Sequence, residues 1–547
     1  MSTQHSPKGD GPNGLERLPS ELVVRILEYC GYADLLRFSQ VKQTCRDYSL
    51  LVETSARLRL QIELGANGLQ LPHRWLAVGG QSQELLEKLV QCRDDWLDLR
   101  LTSGEFLPRT TSGQRFTLWE LRRGVFASAF SMGEHRHLEA DALKIITLDS
   151  PVSEWTLKFD MTFHELTIDP AQDLLVLAVT KTTSTVSLSI TNDILLINLI
   201  ANSSELCSNV MVIDWKAGVL LAHTGWRSGM RSAMLLHDDC LLVFETVISS
   251  IDEMGGSAIG KPDSLELFVY DQLRTPEGRD DDPDESRVHP SHPLSRQPLE
   301  ETLRFEFPIL FPNVFILATD FLVRAAPVSD CALHHTPDFV PDYTCRTISL
   351  SIRIISAGSP ASLLIFVDSG MLLEHLKRAK VEGLRSVPWT TWGEYSTRWI
   401  YYMSEPNPWI NWLQGTRYVL GRQVIDAQNH AEDNNYIAIA DFHLPTIRRF
   451  AARNKDYYSL PLPEYEIKRR EVIGTGQWAY FGNYSNRNLE AGALAVDIVD
   501  ADTPTVLRGL SEDPIISRLP YRLAVARPSP SDYWNRITSK WIPCDAI

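Results

Sequence analysis

The residues best able to bind a metal lie together in one short segment, CALHHTPDFVPDYTC. A structural zinc site requires four convergent ligands, and its cysteines usually follow a short spacing such as C-x-x-C. This segment lacks that spacing, so we predict a polar loop here and expect neither a metal site nor another cofactor. The ligand types in this segment are Cys331, His334, His335, Asp338, Asp342 and Cys345.

Carboxylates could instead perform acid–base chemistry. The sequence contains no G-x-S-x-G, H-E-x-x-H, Walker or G-x-G-x-x-G motif. Any acidic chain rich in strands offers carboxylates near strand ends, so their presence is weak evidence for catalysis. We therefore predict that the chain is not an enzyme, with a propeller hydrolase as the alternative. The carboxylates placed near predicted strand ends are Asp160, Asp169, Asp214 and Glu245.

An aromatic segment, VPWTTWGEYSTRWIYYMSEPNPWINWLQGTRYV, offers a second kind of functional residue. Aromatic rings and arginines are favoured at the centres of binding sites. Most of these rings should fill a core, but we predict that some line a surface that recognises a target protein. The candidates are Trp389, Trp392, Arg398 and Trp399, with Trp409, Trp412 and Arg417 nearby.

Composition limits the classes of partner. A chain of 547 residues is too long for one core, which favours two or three domains. Its net charge of −16 argues against binding to nucleic acid, whose phosphates attract Lys and Arg, and against an anionic membrane surface.

Cellular location follows from three further features. The opening segment MSTQHSPKGDGPNG is polar, and no apolar run approaches the ~20 residues of a spanning helix. The eight cysteines are scattered without a C-x-x-C pair, which is typical of reduced thiols. We predict an intracellular protein, cytoplasmic or nuclear or both.

Three short helices are predicted near the N-terminus. Ser20 can cap the first helix and Gly31 can end it. So small a unit has little core, and some of its apolar residues should stay exposed, which marks a partner surface. Apolar residues line one side of the first helix (Leu22, Val23, Ile26, Leu27 and Cys30) and polar residues the other (Glu21, Arg25 and Glu28).

The segment LPSELVVRILEYCGYADLLRFSQVKQTCRDY, residues 18–48, closely resembles the F-box. It departs from the family at Lys42, where cysteine is usual, and at Cys45, where tryptophan is usual. The resemblance implies docking on the Skp-type adaptor of an SCF ubiquitin ligase, and through it on a cullin. The residues that the resemblance assigns to the adaptor surface are Leu18, Pro19, Leu22, Ile26, Leu27, Leu35 and Val41.

Short strands follow the helices. Apolar and polar residues alternate, and turns such as Lys216-Ala217-Gly218 separate the runs. The spacing predicts a β-propeller of six to eight blades, with a pair of large β-sandwiches as the alternative. The order of helices and strands also resembles fungal F-box proteins with a propeller-like C-terminal region.

The predicted fold is therefore multidomain, with an all-α F-box followed by an all-β region. The function that the resemblance implies is the substrate-recognition subunit of an SCF-type ubiquitin ligase. The alternative within the family is an F-box scaffold outside the ligase. The predicted parts are a flexible tail 1–14, the F-box 15–60, a helical linker 61–115, the β region 116–526 with a disordered insertion 272–302, and a tail 527–547.

Overall fold

A computed structural model describes the chain in segments. The predicted tails 1–14 and 527–547, and nearly all of the predicted insertion 272–302, lie outside them. The described residues are 18–40, 46–72, 81–98, 116–132, 140–147, 153–179, 185–202, 206–237, 239–254, 257–271, 273, 299, 301–317, 321–326, 339–356, 359–402, 413–424, 435–453, 494–499, 505–507 and 510–526.

The chain divides into two compact units. The first, here the helical unit, is Met1–Arg100 with Asp338–Val340. The second, here the β unit, is Leu101–Pro337 with Pro341–Ile547. The finer boundaries drawn from the sequence, at residues 60, 115 and 526, stay predictions.

The helical unit contains the short helices predicted near the N-terminus, and a further helix lies within the predicted helical linker 61–115. Helix α1 begins at Ser20 itself, because the Pro19 carbonyl accepts the N–H groups of Leu22 (3.0 Å) and Val23 (3.2 Å). The predicted cap at Ser20 is therefore wrong by one residue. The elements are α1 Ser20–Leu27, α2 Tyr32–Gln40, α3 Arg46–Thr54, α4 Ala56–Ala66, β1 Leu69–Gln70 and α5 Ser82–Asp98.

Gly31 directly precedes helix α2, whereas the sequence predicts that it ends α1. Helix α1 ends at Leu27, and the Gly31 carbonyl accepts the N–H groups of Asp34 and Leu35, both at 3.0 Å. A side chain of α4 holds the short connection between α1 and α2 in place. The Gln61 side-chain amide donates hydrogen bonds to the carbonyls of Glu28 (3.3 Å) and Cys30 (2.6 Å).

A small apolar core holds α1 to its neighbours. Partly buried residues such as Phe38 and Ile62 pack around it. Helices α2 and α4 approach closely at Gly65, where an added Cβ would lie 2.3 Å from Tyr32 Cδ1, so only glycine fits there. The fully buried members of this core are Val23, Leu27, Leu35, Val52 and Leu58.

The first sheets of the β unit are small and antiparallel. One joins four strands in chain order, β2 Phe116–Arg122, β3 Val125–Phe130, β4 Ala140–Thr147 and β5 Ser153–Phe163. A hairpin follows, β6 Glu165–Asp169 and β7 Leu174–Ala178. The next sheet has the order β11-β10-β9-β8 with β12 beside β10, from β8 Thr185–Thr191, β9 Ile194–Asn202, β10 Leu206–Asp214, β11 Val219–His223 and β12 Arg227–Ser228.

A ten-stranded sheet carries the largest apolar core among the described residues of the β unit. Its main path is β13-β14-β15-β17-β20-β21-β23, with β16, β18 and β22 attached at the sides. The strands are β13 Met230–His237, β14 Cys240–Met254, β15 Ser257–Asp271, β16 Leu303–Glu306, β17 Val314–Leu317, β18 Leu322–Ala325, β20 Thr347–Ser356, β21 Ser359–Asp368, β22 Ser386–Val387 and β23 Thr397–Tyr402; β19, Val340–Pro341, is outside this sheet.

The C-terminal strands form a sheet of order β24-β25-β26-β30-β27 and a separate pair, β28 with β29. Strand β30 therefore inserts between two strands that precede it in the sequence. The bounds are β24 Leu413–Gln414, β25 Arg417–Val424, β26 Asn435–Asp441, β27 Leu494–Val499, β28 Thr505–Leu507, β29 Ile515–Ser517 and β30 Tyr521–Ala526.

The described part of the β unit contains three α-helices between these strands in the sequence: α6 Ser369–Glu382, α7 Trp389–Ser396 and α8 Leu444–Arg453. Helix α6 has a clear start and a clear stop. The Asp368 side chain accepts the Gly370 N–H at its beginning, at 2.8 Å, and Gly383 ends it with φ +70°.

The structure confirms an N-terminal region of short helices followed by a β-rich region of antiparallel sheets. Sheets of four or five strands have the size of propeller blades, whereas the ten-stranded sheet is larger than one blade. The propeller stays a prediction. In the described part of the chain, no helix combines the length and the apolar character needed to cross a membrane.

Candidate functional site

Helix α1 is apolar on two faces. Val23 and Leu27, four residues apart, are 2% and 4% exposed and belong to the core of the helical unit. Leu22 and Ile26 have the same spacing but lie one residue earlier, about 100° around the helix, and are 51% and 46% exposed. The single apolar side expected from the sequence is thus divided between the core and the surface.

The exposed face continues beyond both ends of α1. Leu18, four residues before Leu22, is 37% exposed, and Tyr29, three residues after Ile26, is 86% exposed. We call Leu18, Leu22, Ile26 and Tyr29 the α1 stripe. Four large apolar residues at helical spacing on one small unit form the kind of surface that usually binds a partner.

Charged residues next to the α1 stripe form a local network. Glu28 bridges Arg25 at 3.8 Å and Arg57 at 3.1 Å, and its side chain is only 14% exposed. Glu28 is therefore part of the contact between the end of α1 and α4. It is not the freely exposed polar residue that the sequence indicates.

The structure separates the residues predicted to contact the adaptor. Leu18, Pro19, Leu22 and Ile26 are exposed. In contrast, Leu27 and Leu35 are 4% and 0% exposed and pack in the core of the helical unit. Val41 lies outside the described residues, as do Lys42 and Cys45, the two departures from the F-box pattern. The assignment of this surface to an adaptor stays a prediction.

The residues predicted to recognise a target lie in the core. Trp392 and Trp399 are each 1% exposed, and only Trp389 is half-buried. The three indoles pack edge to face, with ring centroids 5.3 Å apart for Trp389–Trp392 and 5.9 Å apart for Trp389–Trp399. Phe305 and Phe307 pack against Trp392, both at 5.2 Å. We call these five residues the tryptophan cluster.

Arg398 is also buried. Its Nε donates to the Leu519 carbonyl at 2.7 Å, its Nη1 donates to Thr505 Oγ1 at 3.2 Å, and its guanidinium lies 5.5 Å from the centre of the Tyr521 ring. These contacts tie β23 to the C-terminal strands. A target protein therefore has no direct access to Trp392, Arg398 or Trp399 in this structure, while Trp409 and Trp412 lie outside the described residues.

Three of the four carboxylates considered for catalysis have structural partners. Glu245 forms a buried bidentate pair with Arg231, at 2.7 and 2.8 Å. Asp169 accepts the Ala171 N–H at 3.1 Å and lies 3.9 Å from Arg122. Asp214 accepts the Ala217 N–H at 2.9 Å in the β10–β11 turn. Asp160 lies exposed on β5.

A different pair of carboxylates, which no sequence pattern predicts, is buried in the β unit. Burial raises the pKa of Glu165 to about 8, against the opposing effect of the Arg324 guanidinium, so this carboxyl is protonated at neutral pH. Burial also raises the pKa of Glu120, whose carboxylate accepts the Ile168 N–H at 2.9 Å. No local pattern marks these residues, because β2, β6 and β18 come together only in the fold.

The segment considered for metal binding is described only in part. Cys331, His334, His335 and Asp338 lie outside the described residues. Asp342 accepts the Thr344 N–H at 2.9 Å at the start of a 3₁₀ turn. Burial raises the pKa of the Cys345 thiol. The polar loop without a metal stays a prediction.

The N-terminal region is thus a small helical unit with an exposed apolar stripe, and the remainder of the described chain is β-rich. The F-box domain family matches residues 15–47, which contain α1, α2 and the whole α1 stripe. Residues 15–47 are therefore an F-box domain. F-box domains in general bind Skp-type adaptors and cullins, and so serve as substrate adaptors of SCF-type ligases. Comparison with curated proteins finds no match.

Proposed function

We propose that this chain is the substrate-recognition subunit of an SCF-type ubiquitin ligase. The observation that carries the proposal is the α1 stripe, which lies inside the matched F-box and remains uncovered by the helical unit. The Skp-type adaptor would cover this stripe. Burying half-exposed side chains such as Leu22 and Ile26 should contribute about 1 kcal/mol each, since full burial of such residues contributes roughly 1.5–3 kcal/mol.

The β unit would hold the target protein. In this proposal the chain supplies proximity, because it places a bound target next to the ubiquitin-charged enzyme and converts a bimolecular encounter into an oriented reaction. The adaptor interface and the target interface are then separate surfaces, and each can be removed by mutation without the other.

The experiment is a titration of purified Skp-type adaptor into the full chain. Leu22→Asp with Ile26→Asp should weaken binding at least about 100-fold, because the variant loses apolar burial and places two charges in a dry interface. The matched control is Val381→Asp with Leu384→Asp, two apolar residues of the β unit that are 87% and 41% exposed. The control should bind as the wild type does. Equal binding by both variants would contradict the proposed surface.

The scaffold alternative differs at the next step of assembly. A receptor bound to its adaptor should co-elute with the cullin in size-exclusion chromatography, and the Leu22/Ile26 variant should not. A scaffold would bind the adaptor yet fail to co-elute with the cullin. Protein lifetimes in cells that express the wild type or the variant would then show whether any target is degraded through this chain.

We also propose that the chain performs no chemistry itself. The pairing of Glu245 with Arg231 and of Asp169 with Arg122 supports structural roles for these carboxylates. In a reconstituted ligase, target ubiquitination should persist in Glu165→Gln and stop in the Leu22/Ile26 variant. The reverse pattern would contradict both the proposed docking surface and the structural role of Glu165.

A further inference from the structure

Three metal-binding side chains lie in a row across one end of the ten-stranded sheet. Strands β13 and β14 follow each other in the sequence, and His237 at the end of β13 is paired with Cys240 at the start of β14. Cys240 is in turn opposite Asp271 on β15. Directly opposed residues of antiparallel strands project their side chains from the same face. The register therefore brings an imidazole, a thiol and a carboxylate together.

The donor atoms of these three residues are close enough for one ion. An imidazole nitrogen, the Cys240 Sγ and an Asp271 carboxylate oxygen all lie within 4.8 Å of one another. Around a tetrahedral zinc ion, donor atoms are about 3.5 Å apart. Side-chain movements of about an ångström would thus complete the geometry. Cys240 is buried, whereas His237 and Asp271 are half-buried.

The charges around Cys240 are mainly negative. The carboxylates of Asp271 and Asp239 and the ammonium of Lys380 act on the Cys240 thiol. Lys380 forms an ion pair with Asp271, and its side chain is 49% exposed, so it can move into solvent. A divalent cation would take the place of the thiol proton, and its second positive charge would balance the charge of a carboxylate.

We propose that His237, Cys240 and Asp271 bind one zinc-class divalent cation, with solvent as the fourth ligand. A mixed sulfur, nitrogen and oxygen set suits borderline-soft zinc, whereas magnesium and calcium prefer oxygen ligands alone. The ion would cross-link the ends of β13, β14 and β15. Lys380 occupies the carboxylate in the absence of the ion and so competes with it.

Cobalt(II) titration of the full-length protein, after removal of metals with a chelator, tests the site directly. Cobalt bound to a thiolate gives a strong near-ultraviolet charge-transfer band, and one equivalent of cobalt should saturate it. Zinc should displace the cobalt. In a competition assay against a chromogenic chelator, Cys240→Ser should bind zinc more than about 100-fold more weakly, since even residues behind the ligands contribute 10–100-fold.

Matched variants separate this site from the other cysteines of the chain. Cys207→Ser, at a half-buried position of β10, should keep the band. Lys380→Gln should strengthen zinc binding by about tenfold, because it removes a competing cation. If His237, Cys240 and Asp271 only stabilised the fold, Lys380→Gln would not strengthen zinc binding. If Cys240→Ser fails to fold, His237→Ala at the half-buried strand end serves instead and should also lose the band. A band that survives in both variants, or no band in the wild type, would overturn the proposal.

Discussion

The α1 stripe and the tryptophan cluster are both rich in large apolar side chains, and the sequence predicts both as binding surfaces. In the structure Leu22 and Ile26 are 51% and 46% exposed, whereas Trp392 and Trp399 are 1% exposed. The two regions differ in the unit that surrounds them. Apolar character alone therefore does not identify a docking surface.

The size of the surrounding unit explains the difference. A small unit has a high ratio of surface to volume and cannot cover every apolar residue of a helix that is apolar on two faces. The β unit has a ten-stranded sheet and a large core, which leave room for indole rings. The Trp392 Nε1–H also donates a hydrogen bond there, to the Glu306 carbonyl oxygen at 3.0 Å.

The largest effect on stability should come from the tryptophan cluster. Trp392→Ala removes the ring that packs against Phe305 and Phe307, and it should destabilise the β unit by roughly 3–5 kcal/mol. Hydrogen exchange of β23 and the thermal midpoint would report the loss. Tyr395→Ala, also on α7 but 64% exposed, should change both by little. Equal effects of the two variants would mean that the cluster does not support the core.

The two faces of α1 should respond in opposite ways. Leu27→Ala creates a cavity in the core and should destabilise the helical unit by roughly 2–4 kcal/mol. Leu22→Ala should change stability by less than about 0.5 kcal/mol but weaken adaptor binding several-fold. Hydrogen exchange of residues 20–66 measures the first quantity and adaptor titration the second. If Leu22→Ala destabilised the unit as much as Leu27→Ala does, the α1 stripe would be core and not a docking surface.

The smallest effect should come from the buried carboxyl of Glu165, and it depends on pH. Between the ordinary glutamate pKa of 4.5, which applies to the unfolded chain, and the folded value of about 8, the unfolded chain loses the proton that the folded protein keeps. Stability should therefore fall as pH rises through this interval and level off above it. Glu165→Gln, which mimics the protonated form, removes that loss.

As pH rises from 5 to 9, the free energy of unfolding of Glu165→Gln should increase relative to that of the wild type by roughly 1–3 kcal/mol. Each unit of pKa shift corresponds to about 1.4 kcal/mol, and access of water to the carboxyl reduces this energy. Thermal midpoints of both proteins across this pH range make the comparison. A constant difference between them would show that the Glu165 carboxyl keeps an ordinary pKa in the folded protein.

Local patterns sufficed where short-range geometry decides the structure. The hairpin predicted at Lys216-Ala217-Gly218 is confirmed, because β10 and β11 pair and Gly218 adopts φ +66°. Helix α7 was missed because its residues, WTTWGEYS, are rich in aromatic and β-branched types that favour strands, and tertiary packing of its indoles overrides that preference.

The sequence by itself determined the class of the N-terminal module, because its leucines, its proline and their spacing form a local pattern that the F-box match confirms. Only the tertiary structure decided which of those residues are exposed, since Leu22 and Leu27 have the same chemistry and differ only in what packs over them. The same holds for His237, Cys240 and Asp271. Strand register brings them together, and register depends on hydrogen bonds between segments that are distant in the sequence.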